Sequence, residues 1–192
     1  MTCRKALLVD LDGTLVDTRE ANYLAYAAAL SSVDVTLDRR TWQASCDGRN
    51  WRQFLPALVG HLPGVDAAIV AAKKAAIYPT MLSNSRVNSG LLRRLRTARG
   101  RAKIALVTTA SRTNADAVLR HHGLVNLFDV VVTGCDVEHH KPSPDAFHLA
   151  AKQLDAGPDD CLVFEDSAIG RAAAAAFGAR CIAISFSPAE PR

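Results

Sequence analysis

The stretch Ala6-Leu7-Leu8-Val9-Asp10-Leu11-Asp12-Gly13-Thr14-Leu15-Val16-Asp17-Thr18 decides how the rest of the chain is read. An apolar run climbs into Asp10, and Asp12 follows two residues later. A short apolar run of this kind fits a buried strand. Two carboxylates at its end repel each other, and one pKa rises unless a cation lies between them. Something else in the chain, or a metal, has to answer that charge.

The second half supplies the partners of this strand. Lys103–Thr108, Phe128–Thr133, Cys161–Phe164 and Arg180–Ile184 read as strands. Helices over Asn114–His122, Pro144–Leu154 and Ser167–Phe177 alternate with them. Gly123 and Gly178 act as stop signals, and Ser143 is the expected N-cap before Pro144 at the first helical position. Strand–helix alternation with nearly continuous apolar strands predicts an α/β fold, a Rossmann-like parallel sheet flanked by helices. Between Asp17-Thr18 and Lys103 the pattern changes. Ala21–Leu30, Asp38–Cys46, Trp51–His61 and Val65–Met81 read as helices, with no convincing strand among them. The expectation is an inserted all-α module over 19–85, with 1–18 and 86–192 forming the α/β core. Leu91–Ala98 then returns as a sheet-covering helix.

The composition sets outer bounds. A chain of 192 residues holds one medium domain or a core with one insertion. No apolar stretch approaches the roughly 18 residues of a membrane span. The basic start Met1-Thr2-Cys3-Arg4-Lys5 leads into Asp10 and Asp12 rather than a secretory core. The formal charge of +4 suits anionic small molecules without demanding nucleic acid. The basic run from Arg86 to Lys103 has no interleaved aromatics and reads as a solvated helix face. Five cysteines without a C-x-x-C pair argue against a disulfide framework or zinc ribbon. They read as small buried hydrophobes in a reducing cytoplasm. His139-His140 and His121-His122 read as loop and helix-end residues, and Trp42 and Trp51 as core of the helical module.

In an open α/β sheet, ligands bind beyond the carboxyl ends of the strands. Those ends deliver Asp10, Asp12, Gly13 and Thr14; Thr108 and Thr109; Lys141; and Glu165 and Asp166. Clustered carboxylates suit Mg²⁺, which takes one or two of them with waters and a phosphate oxygen. Thr108 can donate to a phosphate oxygen, and Lys141 can offset the charge of the same group. Asp10 can attack phosphorus, and Asp12, pointing the same way along an extended chain, can move the proton. Gly13 permits a bend that a Cβ would obstruct.

The segments DLDGTLVDT, VTTAS, HKPSPDAF and VFEDSAIGRAAAAA resemble, in order, the four motifs of the haloacid dehalogenase superfamily. The nearest groups in pattern are the β-phosphoglucomutase-like and phosphoglycolate-phosphatase-like members, whose helical cap the 19–85 insertion resembles. The resemblance implies that Asp10 is nucleophile and metal ligand. It implies that Asp12 is general acid/base, with its backbone carbonyl on Mg²⁺. Thr108 and Lys141 would bind the phosphoryl group, with Lys141 also restraining Asp10. The backbone amides of Leu11 and Thr109 would hold phosphate. Asp166 would bind metal directly, and Glu165 directly or through water. Basic cap residues Arg49, Arg52 and Lys74 would meet the distal part of a small phosphorylated metabolite.

The resemblance implies a Mg²⁺-dependent phosphatase. A phosphomutase is the alternative, and a binding protein on the same scaffold ranks below both. A dehalogenase is disfavoured because those members lack the second aspartate. Two departures stand out. Asn22 occupies a position where the mutase-like group usually has His, which favours hydrolysis. Family members commonly continue beyond the strand ending at Ile184, so a partner could cover that edge; monomer and homodimer both remain open. The Asp17-Thr18 pair is a hinge candidate.

Overall fold

The computed structural model describes residues 5–49 and 51–186. Cys3 and the rest of 1–4 lie outside the described residues. Contacts divide the chain into two units: Met1–Asp17 with Arg86–Arg192, and Thr18–Ser85.

In chain order the elements are β1 (Ala6–Val9), β2 (Val16–Asp17), α1 (Arg19–Ser31), α2 (Arg39–Thr41), α3 (Trp51–Val59), α4 (Ala67–Met81), β3 (Arg86–Val87), α5 (Ser89–Ala98), β4 (Lys103–Val107), α6 (Arg112–His121), β5 (Val130–Val132), α7 (Asp145–Gln153), β6 (Cys161–Glu165), α8 (Ala168–Phe177) and β7 (Arg180–Ala183). A π-helical turn, Trp42–Cys46, continues α2.

The first unit is built on a five-stranded parallel sheet in the order β5-β4-β1-β6-β7. β1 is central and entirely buried, as a continuous apolar strand in a parallel sheet must be. The chain runs from β1 to β4 and β5 on one side, then crosses to β6 and β7 on the other. That reversal places a crevice beyond the end of β1. On one face, α7 and α8 pack Phe147, Ala150 and Phe177 against Leu8, Val107 and Val163. The alanine run of α8 faces two ways. Ala173 and Ala174 are fully buried, and their small side chains let the helix approach the sheet, while Ala172, Ala175 and Ala176 face solvent.

Several elements differ from the sequence reading. Two strands of two residues each, β2 and β3, pair antiparallel where no strand was expected near the insertion. They are too short to show a period. Asn88 extends the pairing by donating its N–H to the Leu15 carbonyl at 2.8 Å, and Arg86 lies 3.6 Å from Asp17. Helix α6 starts two residues earlier than read, because Ser111 caps it by accepting from the Asn114 N–H. Helix α7 starts one residue later. Pro144 holds the N-cap position, and the Ser143 hydroxyl instead donates to Asp145 Oδ1 at 2.6 Å. Helix α8 also starts one residue later than read, because Ser167 caps it by accepting from the Gly170 N–H; Gly178 closes it as expected, with φ +86°.

The second unit is all helical. Tyr26, Trp42 and Phe54 pack tilted or edge-to-face around its centre, with ring centroids 5.1–6.4 Å apart. Trp51 packs against this core while half-exposed. Among the described cysteines, Cys46 and Cys161 are buried and Cys181 half-buried. Cys135 corrects the expectation of uniform burial: it is exposed, in the loop after β5, where no core reaches it.

Candidate active site

Five polar side chains converge beyond the carboxyl ends of β1, β4 and β6. Asp10, Thr108, Lys141 and Glu165 are all buried, and Asp166 is half-buried. Lys141 reaches the end of β1 from the loop before α7. Its Nζ donates to Asp10 Oδ1 at 2.7 Å, Glu165 Oε1 at 2.6 Å and the Val107 carbonyl at 3.1 Å. An ammonium has three protons, so these acceptors use all of them.

Two buried carboxylates thus share one cation. Burial is the largest influence on Asp10 and raises its pKa; Lys141 opposes it, and Glu165 and Asp12 add to it. The result is a carboxyl pushed up to about 7. The Lys141 pKa is also raised: burial opposes the charge, but the attraction of Asp10 and Glu165 outweighs it.

Glycines make room for this cluster. A Cβ on Gly13 would lie 2.3 Å from Asp166 Oδ2, and Gly13 holds φ +86°. The bend read from the sequence is therefore also a close approach. A Cβ on Gly170 would lie 1.8 Å from Glu165 Oε1. The Thr14 hydroxyl donates to Asp166 Oδ1 at 2.8 Å. The Ser167 N–H and hydroxyl donate to Glu165 Oε2 at 2.9 and 3.0 Å. Ser167 therefore both caps α8 and holds Glu165. The sequence places Thr14 on this rim without a role, and gives Ser167 and Gly170 no part in the site. Ser directly after Glu-Asp and three residues before Gly is the signal that identifies the last two.

One carboxylate oxygen from each of Asp10, Glu165 and Asp166 lies within 4.8 Å of the others. Hard-oxygen donors at that spacing fit a divalent cation such as Mg²⁺. Both Glu165 oxygens already accept hydrogen bonds, whereas Asp10 Oδ2 faces none of the donors that hold Oδ1. Asp12 is half-buried, and strand alternation does not set its direction. β1 ends at Val9, and the Leu11 carbonyl accepts from Thr14, Leu15 and Val16. Asp12 therefore sits in a tight loop, not on an extended strand. Thr108 Oγ1 accepts from the Ala110 N–H at 3.0 Å, which leaves its own proton to give. The Leu11 and Thr109 N–H groups make no hydrogen bond among the described residues.

The remaining expected residues lie in the helical unit. Lys74 is buried there; its Nζ donates to Asn22 Oδ1 at 2.7 Å and lies 4.0 Å from the Tyr78 ring centroid. Asn22 in turn donates to the Thr18 hydroxyl and carbonyl, both at 3.2 Å. Burial pushes the nearby Tyr26 hydroxyl up to about 12. Arg52 is exposed, with its guanidinium 4.5 Å over the Trp51 ring, and Arg49 is exposed in the turn after Cys46. In the first unit, His139 Nδ1 lies 3.0 Å from Asp145 Oδ2 on the loop that carries Lys141.

An aspartate held by a lysine, a strand-end threonine and a carboxylate cluster able to hold a cation are the groups that a phosphate-ester hydrolase on a parallel α/β sheet needs. The chain belongs to the haloacid dehalogenase-like hydrolase family, which matches residues 4–178. It is 32% identical over 172 residues to the fructose-1-phosphate phosphatase YqaB of Escherichia coli, covering 90% of this chain and 92% of that one. It is 27% identical to the β-phosphoglucomutase of Bacillus subtilis, over 86% of this chain and 76% of that one. Among solved structures, CbbY from Rhodobacter sphaeroides in complex with phosphate superposes with a TM-score of 0.83 at 26% identity. That match covers 97% of this chain and 89% of the other.

Proposed function

We propose that the protein hydrolyses the phosphate monoester of a small sugar-like metabolite through a phosphoryl group carried on Asp10. The observation that supports this best is the Lys141 contact at 2.7 Å to one Asp10 oxygen. It orients the carboxylate and leaves Oδ2 to attack phosphorus. As the bond from phosphorus to the leaving oxygen breaks, Asp12 gives that oxygen a proton. Asp12 then takes a proton from the water that releases phosphate from Asp10. The Thr108 hydroxyl and the Leu11 and Thr109 N–H groups hold the phosphoryl oxygens, and the Lys141 charge stabilises them. Asp10 and Asp166, with Glu165 and the Asp12 backbone carbonyl, would hold Mg²⁺, whose charge would offset that of the carboxylates and phosphate.

Substrate choice falls to the helical unit, acting as a cap, with Arg49, Arg52 and Lys74 as its contacts. Hydrolysis is favoured over phosphoryl return because Asn22 stands where the mutase-like group usually has His. A sugar phosphate panel that begins with fructose 1-phosphate, assayed with Mg²⁺ for both free phosphate and isomer, tests this. Phosphate release without isomer is expected. Isomer without release would make the protein a mutase, and neither product from any substrate would favour a binding role.

A further inference from the structure

The stretch from Arg86 to Lys103 carries seven basic residues and no acidic one. Three of them have structural partners. Arg86 pairs with Asp17, Lys103 lies 3.8 Å from Asp129, and Arg99 donates to the Asn126 carbonyl. Arg93, Arg94, Arg96 and Arg101 are exposed and make no ion pair among the described residues. Arg96 in the last turn of α5 complements the helix dipole. That explanation does not extend to the other three. Arg93 and Arg96 also sit three apart on one helix, where like charges repel.

These arginines border two shallow, open depressions. Arg93, Arg94 and Arg101 border a cleft of about 500 Å³ together with Leu7, Ala98 and Ala102. A second cleft of about 480 Å³ shares Arg93 and Thr97 and extends to Arg96. Leu7 is the second residue of β1, and Ala102 directly precedes β4. Those two residues place the first cleft at the opposite end of the sheet from Asp10, about 10 Å along β1 at the usual strand rise, whereas the second runs along α5 from Ser89 to Thr97.

We propose that this cleft binds a small anion carrying two or more phosphate groups, separately from the substrate. Guanidinium forks bind phosphate oxygens in pairs, and three of them around one cleft match several such groups. The volume is that of a small-molecule site. No aromatic side chain lines it, so it offers no stacking platform for a nucleic-acid strand.

The test is isothermal titration of the full chain in EDTA with inorganic tripolyphosphate. The variants are Arg93→Gln/Arg94→Gln/Arg101→Gln and, separately, Thr108→Ala. Wild type and Thr108→Ala are expected to bind with the same affinity, and the triple variant at least tenfold more weakly. Its melting temperature and phosphate release should be unchanged, since the three side chains are exposed and distant from the reaction. Equal binding by the triple variant, or loss of binding with Thr108→Ala alone, would overturn the proposal. So would tripolyphosphate failing to bind while phosphatidylglycerol vesicles or single-stranded DNA bind through the same arginines.

Discussion

At one end of the sheet, a single buried ammonium is divided between two carboxylates and a carbonyl. At the other end, four arginines stand in solvent with no carboxylate among the described residues to answer them. In the first case the polypeptide holds opposite charges together out of water, where each member depends on the others. In the second, water screens like charges at little cost, and the side chains keep their capacity to bind an anion. The contrast teaches that a charge's surroundings, not its count, decide whether removing it breaks the fold, the chemistry, or only a ligand site.

The largest break comes from Lys141→Met. It strands Asp10 and Glu165 in a buried site, with an expected loss of about 3–5 kcal/mol in metal-free protein by urea unfolding. Phosphate release should fall about 10³-fold or more. Gly170→Ala is the next test. The added Cβ meets Glu165 Oε1, the atom that accepts from Lys141, so the carboxylate must leave the lysine or the helix must shift. A loss of about 2 kcal/mol is expected, with reduced turnover. An alanine variant with wild-type melting and rate would show that Glu165 has slack that the geometry does not show.

Asp10 sharpens the comparison through pH. Its pKa of about 7 in the folded chain lies above the ordinary 3.8. Between those values the folded state binds more protons than the unfolded one. Stability from this group is full below about pH 3.8 and is lost as pH rises through 7. Metal-free wild type should therefore lose stability from pH 5 to pH 8 more steeply than Asp10→Asn, by on the order of a few kcal/mol. Mg²⁺ should flatten the difference. At the far end of the sheet, the triple arginine variant should change unfolding free energy by less than about 0.5 kcal/mol at any of these pH values.

Most of the sheet and most of the site were legible in the sequence, for different reasons. Apolar runs ending in Asp10, Thr108 and Glu165 announce buried parallel strands whose polar ends share one rim. The Asp-x-Asp-Gly-Thr and Glu-Asp segments identify the chemistry by resemblance. The supporting contacts were not legible because they join residues far apart in the chain. Nothing local says that Thr14 meets Asp166 or that Lys74 is bound to Asn22. β2 and β3 escaped because two-residue strands carry no pattern. The expectation that strand alternation aims Asp12 fails because a loop positions it.

The central claim is that Asp10 carries the phosphoryl group. Its most direct test is Mg²⁺-dependent phosphate release from a sugar phosphate panel by wild type and Asp10→Asn, side by side at pH 7.5. Wild type should release phosphate, and Asp10→Asn should fall by about 10³-fold or more while staying folded. Retention of more than about a tenth of the wild-type rate by the folded variant would contradict the account.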